Sequence, residues 1–344
     1  MFLMGTVPGR CTEPIQFLIV RTIMARKVIL DVDTGSDDAC AIMLAYLHKD
    51  IDLIAVCSVK GNQPLKNTNE NTLRIRELLG GDFPVYKGCA SGLVSDLVTP
   101  RMPRTGNVDA YDEKGNKISF HKELFDLPES VRKEEDVPAP VFYVDYLRRT
   151  KEPVTLVAVG PLTNLAVALL IDPDIVRNIE EIVIMGGGHH ITNATIAAEF
   201  NIYDDPEAAQ RVLHCGAKIT MVPLDATHSA YIGKDTSQKL RAVNTPAANF
   251  AADLIDVRIL VHNQCQPLEV PDTCALHDPL CIAYLIDPDV LKDVFFCNVE
   301  VSTSGITAGQ TIVDNRAHQE HRNVRFAYRG DPKRFADIFV EAFR

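Results

Sequence analysis

Residues 27–47 read KVILDVDTGSDDACAIMLAYL. The first part, 27–33, is a short run of β-branched and apolar residues of the kind that forms a buried strand, and 37–47 has the spacing of an amphipathic helix. The helix opens on two acids, as the positive end of its dipole favours. A strand running straight into a helix is half of a βαβ unit, and the pattern recurs along the chain. Strand-like 53–59 precedes helix-like 67–79, and 154–159 precedes 162–171. A further strand is expected at 182–185, then a helix at 205–213 and a strand at 218–224. Such alternation predicts right-handed crossovers and an α/β fold, a single large domain with a mainly parallel central sheet flanked by helices.

Two stretches break the rhythm. Residues 95–140 are rich in Pro, Gly and charge, too long for an ordinary connection, and read as an active-site flap with some helix near 122–125. Residues 233–275 read as helical, the longest segment being 247–264. The end, 299–344, reads as two or three strands and a final helix over 332–343. No internal repeat, low-complexity tract or linker divides the chain, so residues 24–344 are expected to form one domain. Residues 1–23 carry a short apolar stretch at 15–20 without a clear cleavage site, and read as a poorly ordered N-terminal extension.

The 344 residues are 46% hydrophobic and 24% charged, which indicates neither disorder nor a membrane array. The longest apolar runs, such as 162–171, fall short of the roughly 20 residues a spanning helix needs. A net charge of −11 argues against a nucleic-acid partner and suits small neutral substrates or bound cations. Nine cysteines without a C-x-x-C pair do not form a disulfide framework, and a reducing cytoplasm is expected.

In open α/β sheets ligands bind beyond the carboxyl ends of the strands. Asp31, Asp33, Asp37 and Asp38 fall within eight residues at such an end. Carboxylates packed this closely repel, and a hard divalent cation with oxygen ligands would compensate them. Taken singly, Asp37 and Asp38 would serve as helix-start residues and Asp31 as a solvated strand end. Such a cation takes about 6 to 8 ligands, so other segments must contribute. Asp278 in LHDPL (276–280) is the candidate, although His277-Asp278 before a proline is also an ordinary helix start.

At this point DVDTGSDD (31–38) resembles the DxDxGxDD signature of the inosine-uridine type nucleoside hydrolases. The likeness continues in family order through KGNQ (60–63), VGPLTN (159–164), IMGGG (184–188), NATIAAEFNIY (193–203), PLDATH (223–228) and LHDPL. The resemblance implies an enzyme that hydrolyses the N-glycosidic bond of purine or pyrimidine ribonucleosides. It implies Ca²⁺ held by Asp33, Asp38, Asp278 and the Val159 carbonyl, completed by a water and the ribose 2′ and 3′ hydroxyls. Asp33 would be the general base. Asp37 and Asn62 are then expected at the ribose hydroxyls, and Asn193, Glu199 and Asn201 on the 3′ and 5′ side. Met185 would act through its backbone. Glu199 and Asn201 also read as caps of the loop before the helix at 205. His277 is expected to protonate or hydrogen-bond the leaving base, with His228 a weaker candidate. A role in salvage and a homodimer or homotetramer follow from the same resemblance.

The chain departs from the family in the flap. A His-Gly-x-x-Gly stretch that reaches the base is common there, and TGNVDAYDEKG (105–115) stands in its place. Asp109, Tyr111 and Asp112 are expected to be solvated, with base contact as the alternative. Two rival functions remain open at this stage. A haloacid dehalogenase-type phosphatase also starts with a strand ending in Asp-x-Asp, but GDPKRF (330–335) lacks the second acid it needs. A catalytically silent nucleoside-binding protein is the other.

Overall fold

Residue by residue, a computed structural model describes positions 25–95, 97, 110–316 and 320–344. The expected extension at 1–23 and Asp109 lie outside the described residues. From the N-terminal side, β1 (Arg26–Val32), α1 (Ser36–Leu47), β2 (Ile51–Ser58), α2 (Leu65–Leu78) and β3 (Val85–Lys87) follow one another. The flap contains the small hairpin β4 (Ala110–Tyr111) and β5 (Lys117–Ile118). Then come α3 (Ala139–Arg149), β6 (Val154–Ala158), α4 (Thr163–Ile171), β7 (Ile179–Met185), α5 (Phe200–Asp204), α6 (Pro206–Leu213), β8 (Ile219–Val222) and α7 (Leu224–Ser229). The last part comprises β9 (Ile232–Gly233), α8 (Lys234–Val243), α9 (Pro246–Cys265), β10 (Thr273–Cys274) and α10 (Pro279–Ile286). It closes with β11 (Leu291–Val301), β12 (Thr311–Asp314), β13 (Val324–Gly330) and α11 (Pro332–Ala342).

Nine strands make the central sheet, in the order β12-β11-β13-β8-β7-β6-β1-β2-β3. Six of its pairings are parallel, and only β11 with β12 and with β13 is antiparallel. This is the single α/β domain with a mainly parallel sheet that the alternating pattern implies. The alternation of β1 shows why it needs cover on both faces. Val28, Leu30 and Val32 pack with α1, α10 and α11, whereas Ile29 packs with α3, α4 and α6. Each such apolar side chain contributes about 1.5–3 kcal/mol when fully buried.

The strand order also locates the crevice. From β1 the chain runs outward through β2 to β3, then returns to lay β6, β7 and β8 on the other side of β1. The order therefore reverses between β1 and β6, the switch point at which such sheets open a ligand crevice. Register places Asp31 beside Ala158, and the Val159 amide donates to the Asp31 carbonyl at 2.9 Å.

The flap differs from expectation in one respect: residues 122–125 form no helix. Side chains of α2 take over the hydrogen bonds a helix would have made. Asn71 Oδ1 accepts from the Phe125 amide at 3.0 Å, and Arg74 Nη1 donates to the carbonyls of Phe125 and Leu127 at 2.7 and 3.0 Å. A backbone satisfied from outside gains nothing by coiling. At its far side the hairpin is held by Gln264, whose amide bonds the N–H and C=O of Tyr111 at 3.0 and 2.8 Å. No helix among the described residues is long and apolar enough to cross a membrane.

Candidate active site

The turn from β1 into α1 leaves the first backbone amides of the helix without intrahelical partners. Asp38, in the first turn of α1, reaches back over the turn to amides that precede the helix. Its Oδ1 accepts from the Asp33 amide at 3.0 Å and its Oδ2 from the Gly35 amide at 2.9 Å. Asn62 comes in from the loop after β2, donating its amide to Asp33 Oδ2 at 2.5 Å and its side-chain nitrogen to Asp38 Oδ2 at 3.1 Å. That approach requires Gly61, because a Cβ there would lie 2.1 Å from Asp33 Oδ2.

Asp278 stands at the N-cap of α10, but its side chain makes no capping hydrogen bond. It turns instead toward the turn: carboxylate oxygens of Asp37, Asp38 and Asp278 lie within 4.8 Å of one another, and all three residues are buried. This trio contains Asp37, where the family resemblance implies Asp33. One oxygen of Asp33 is already spent on Asn62, while its Oδ1 is buried without a hydrogen-bond partner. Asp37 Oδ1 is likewise buried without one.

Burial raises the proton affinity of these groups, and their mutual repulsion raises it further. Asp33 and Asp278 are pushed well above the usual carboxylate range and Asp38 to about 6. Asp31 is different. It is buried rather than solvated, turned to the α3–α4 side, and bonded by Tyr143 Oη at 2.9 Å and Asn164 Nδ2 at 3.0 Å. Burial still lifts it to about 7 against those two bonds. It does not join the cluster.

The third wall comes from the β7–α5 connection. Glu199 caps α5, accepting the amides of Asn201, Ile202 and Gly187 at 3.0, 3.1 and 2.9 Å. It caps this short helix and not the one after it, which Asp205 caps. Asn201 Nδ2 donates to the Val159 carbonyl at 2.7 Å and to that of Met185 at 3.2 Å. Asn193, exposed, accepts from the Phe200 amide at 2.9 Å. So Val159, Met185, Glu199 and Asn201 are tied together beside the switch point.

A group of imidazoles forms the fourth wall. His277 Nδ1 lies 2.8 Å from Thr227 Oγ1, and the rings of His228 and His277 are 5.7 Å apart. His262 is fully occupied, with Nδ1 on the Gln266 carbonyl at 2.9 Å and Nε2 accepting the Ala275 amide at 3.3 Å. Burial, reinforced by Arg258, lowers His277 well below its ordinary range and His262 to about 3. Burial also takes His228 and His121 to about 4. All four are neutral at physiological pH.

Two residues here went unread in the sequence. His121 of the flap accepts from the Ser36 amide at 3.3 Å and stands 3.8 Å from Asp37 Oδ1. Arg258, only 2% exposed, places Nη1 3.2 Å from Asp37 Oδ1. A lone loop histidine leaves no pattern to find. Arg258 does leave one, as a cation in the buried stripe Ala248, Ala251, Ala252, Ile255, Ile259 of α9. Of the flap residues expected to be solvated, Tyr111 is exposed and Asp112 is spent on the amides of Lys114 and Asn116 at 2.9 and 2.8 Å.

The site is thus a buried, oxygen-rich cluster at a switch point, with polar groups on one side and neutral imidazoles on the other. Residues 28–337 match the family described as inosine-uridine preferring nucleoside hydrolase. A pyrimidine-specific ribonucleoside hydrolase of Shewanella baltica is 37% identical over 93% of this chain and 97% of its own length. The inosine-uridine preferring nucleoside hydrolase of Crithidia fasciculata is 33% identical, over 93% and 98%. Among solved structures, a purine-preferring ribonucleoside hydrolase from Gardnerella vaginalis superposes with a TM-score of 0.79 at 31% identity, covering 92% of this chain and 98% of its own. With the match running through the acidic turn, the flap and Asp278 alike, this chain belongs to the inosine-uridine preferring nucleoside hydrolase family and is a nucleoside hydrolase.

Proposed function

We propose that the chain cleaves the N-glycosidic bond of ribonucleosides to free nucleobase and ribose, with Ca²⁺ as cofactor, Asp33 as general base and His277 at the leaving base. The observation that carries this is the shortage of donors around the acidic cluster. Asp33 Oδ1 and Asp37 Oδ1 are buried without hydrogen-bond partners, and three carboxylates converge within 4.8 Å. A set made only of oxygen atoms suits a hard divalent ion and not zinc. Asp33, Asp38, Asp278 and the Val159 carbonyl would hold it. When bound, the cation supplies charge compensation and makes a neighbouring water more acidic.

Asp33 Oδ1, buried without a hydrogen-bond partner, then receives the water's proton. Asp37 and Asn62 receive the ribose hydroxyls, and Asn193 and Asn201 line the 3′ and 5′ side. Glu199, which accepts from the backbone amides of Gly187, Asn201 and Ile202, lines the same side. Met185 takes part through its backbone. The net negative charge of the turn favours positive charge developing on the ribose as the bond breaks.

Neutral His277 acts on the departing base as a hydrogen-bond donor. The Thr227 hydroxyl occupies Nδ1 at 2.8 Å, so that Nε2 is the nitrogen offered to the base. The phosphatase alternative leaves the family-wide match without an explanation, and the silent-binder alternative is decided by turnover. The same reading carries a role in purine or pyrimidine salvage, a cytoplasmic setting and a homodimer or homotetramer.

Ribose release from a panel of purine and pyrimidine ribonucleosides tests the proposal. Turnover of at least one of them, abolished by a chelator and restored by calcium, is the expected result. A chain that bound nucleosides without releasing ribose would defeat it.

A further inference from the structure

We infer that Lys60 is a positioning residue for the ribose: through an ion pair with Asp204 it fixes the spacing between the loop that carries Asn62 and the helix that carries Asn201. This rests on the ribose site proposed above and goes beyond it, since that reading gives neither Lys60 nor Asp204 a role.

The two walls come from different parts of the sheet. Asn62 follows β2 and α5 follows β7, on opposite sides of the switch point between β1 and β6. Lys60 Nζ crosses between them and donates to both oxygens of Asp204, at 2.6 and 2.8 Å. The Asp204 side chain is 4% exposed and that of Lys60 29%, so water screens the pair only in part. A charge-assisted contact to two oxygens, largely shielded from solvent, holds its geometry better than an exposed ion pair does.

Each partner is joined to a site residue by closely held backbone. Lys60 stands two residues before Asn62, and its own amide donates to the Cys89 carbonyl at 3.1 Å. Gly61, between them, is packed so tightly against Asp33 that the loop has no slack there. Asp204 is the last residue of α5, a helix of 5 residues. A helix this short does not hold its own direction, so its anchors set it. At the start they are Glu199 on the Gly187 amide and Asn201 on the Val159 and Met185 carbonyls. At the end they are Asp204 on Lys60 and Asp205 on the Leu93 amide and the Thr163 hydroxyl, at 2.8 and 2.6 Å. Among these anchors, the one on Lys60 leads to the Asn62 loop. A ribose gripped by its 2′ and 3′ hydroxyls on one wall and on its 5′ side by the other needs both at one spacing, and a misplacement of about 1 Å can cost about 10²-fold.

KM and kcat of the full-length chain, saturated with calcium, are to be measured for an accepted ribonucleoside and for its 5′-deoxy counterpart. Lys60→Met should raise KM for the ribonucleoside about tenfold and leave kcat within about threefold. On the 5′-deoxy substrate the rise should be about threefold or less, because a contact made by the α5 wall is already missing. Lys60→Arg, which keeps the charge and the two-oxygen contact, should recover most of the loss. Asp204→Asn should raise KM in the same way, and the double variant should be no worse than the worse single one, because both break the same link. If Lys60→Met does not fold, Asp204→Asn makes the same test. An unchanged KM in the folded variants, a loss confined to kcat, or additive losses in the double variant, which would put Lys60 on the substrate itself, would overturn the inference and leave the proposed function standing. Wild-type protein that bound nucleosides without releasing ribose would overturn the proposed function instead, and the same comparison would then be read from Kd by titration calorimetry.

Discussion

Asp31 and Asp33 stand two residues apart at the end of one strand, and both are buried. On the α3–α4 side Asp31 receives Tyr143 Oη and Asn164 Nδ2. Glu181 likewise receives Thr220 Oγ1 at 2.6 Å, Tyr284 Oη at 3.1 Å and Lys218 Nζ at 3.1 Å. At the acidic turn Asp33 and Asp37 each have a buried oxygen without a hydrogen-bond partner. The fold is therefore able to surround a buried carboxylate with donors, and does so where the carboxylate serves the architecture. Where donors are missing, the proposed function brings the partner from outside: a cation and the hydroxyls of a substrate. A buried carboxylate left short of partners costs stability that only such a ligand returns.

The sharpest way to break this contrast is to remove the substrate's share of it. A site built to bind a hydroxyl rejects the analogue lacking it by roughly 10⁴-fold. Accordingly kcat/KM for a ribonucleoside should exceed that of its 2′-deoxy counterpart by about that factor, measured side by side on whichever base is accepted. Comparable values would mean that the ribose diol does not complete the turn.

The next largest effect is expected from Asp33→Asn, which should lower kcat by about 10²- to 10⁴-fold while the melting temperature of metal-free protein holds or rises. The rise follows from relief of repulsion among crowded carboxylates. Near wild-type turnover in this variant would remove Asp33 from its role as base.

His277→Ala sharpens the comparison on the base side. Natural nucleosides should lose about 10²-fold in kcat, whereas p-nitrophenyl riboside, whose leaving group needs no help, should lose much less. Equal losses on both substrates would make His277 a structural residue.

The smallest effect belongs to the satisfied region. Asp31→Asn replaces an acceptor by a donor facing Tyr143 and Asn164 and should cost about 1–3 kcal/mol in denaturant unfolding. Turnover of the folded variant should stay within a few-fold of wild type. A selective loss of turnover with unchanged stability would place Asp31 in the reaction after all.

How far the sequence alone reaches depends on what kind of signal each part leaves. The strand at residues 26–32 and the helix after it announce themselves by apolar periodicity, and so do most of the later strand and helix pairs. The helix at 139–149 and the strand at 85–87 do not. The first begins inside what reads as flap, and the second is too short to show alternation; they are joined by a stack of Tyr86 on Phe142 at 3.8 Å that only the fold brings about. The acidic turn is legible because its charges are adjacent in sequence. Asp278, 240 residues after Asp38, is a candidate because the turn alone cannot fill a cation's shell, but its place before a proline also reads as an ordinary helix start, and the family likeness is what favours the ligand. A carbonyl such as that of Val159 leaves no mark at all, being backbone. His121 and Arg258 owe their place to tertiary packing, and only Arg258, a cation in an apolar stripe, could have been found beforehand.

Metal analysis of the purified chain, paired with turnover before and after exhaustive chelation, tests the central claim most directly. One calcium per chain, with ribose release that disappears on its removal and returns on its addition, is the predicted result. Zinc in the site, or full activity in metal-free protein, would contradict the account, since carboxylates left short of donors would then be waiting for something other than a hard cation.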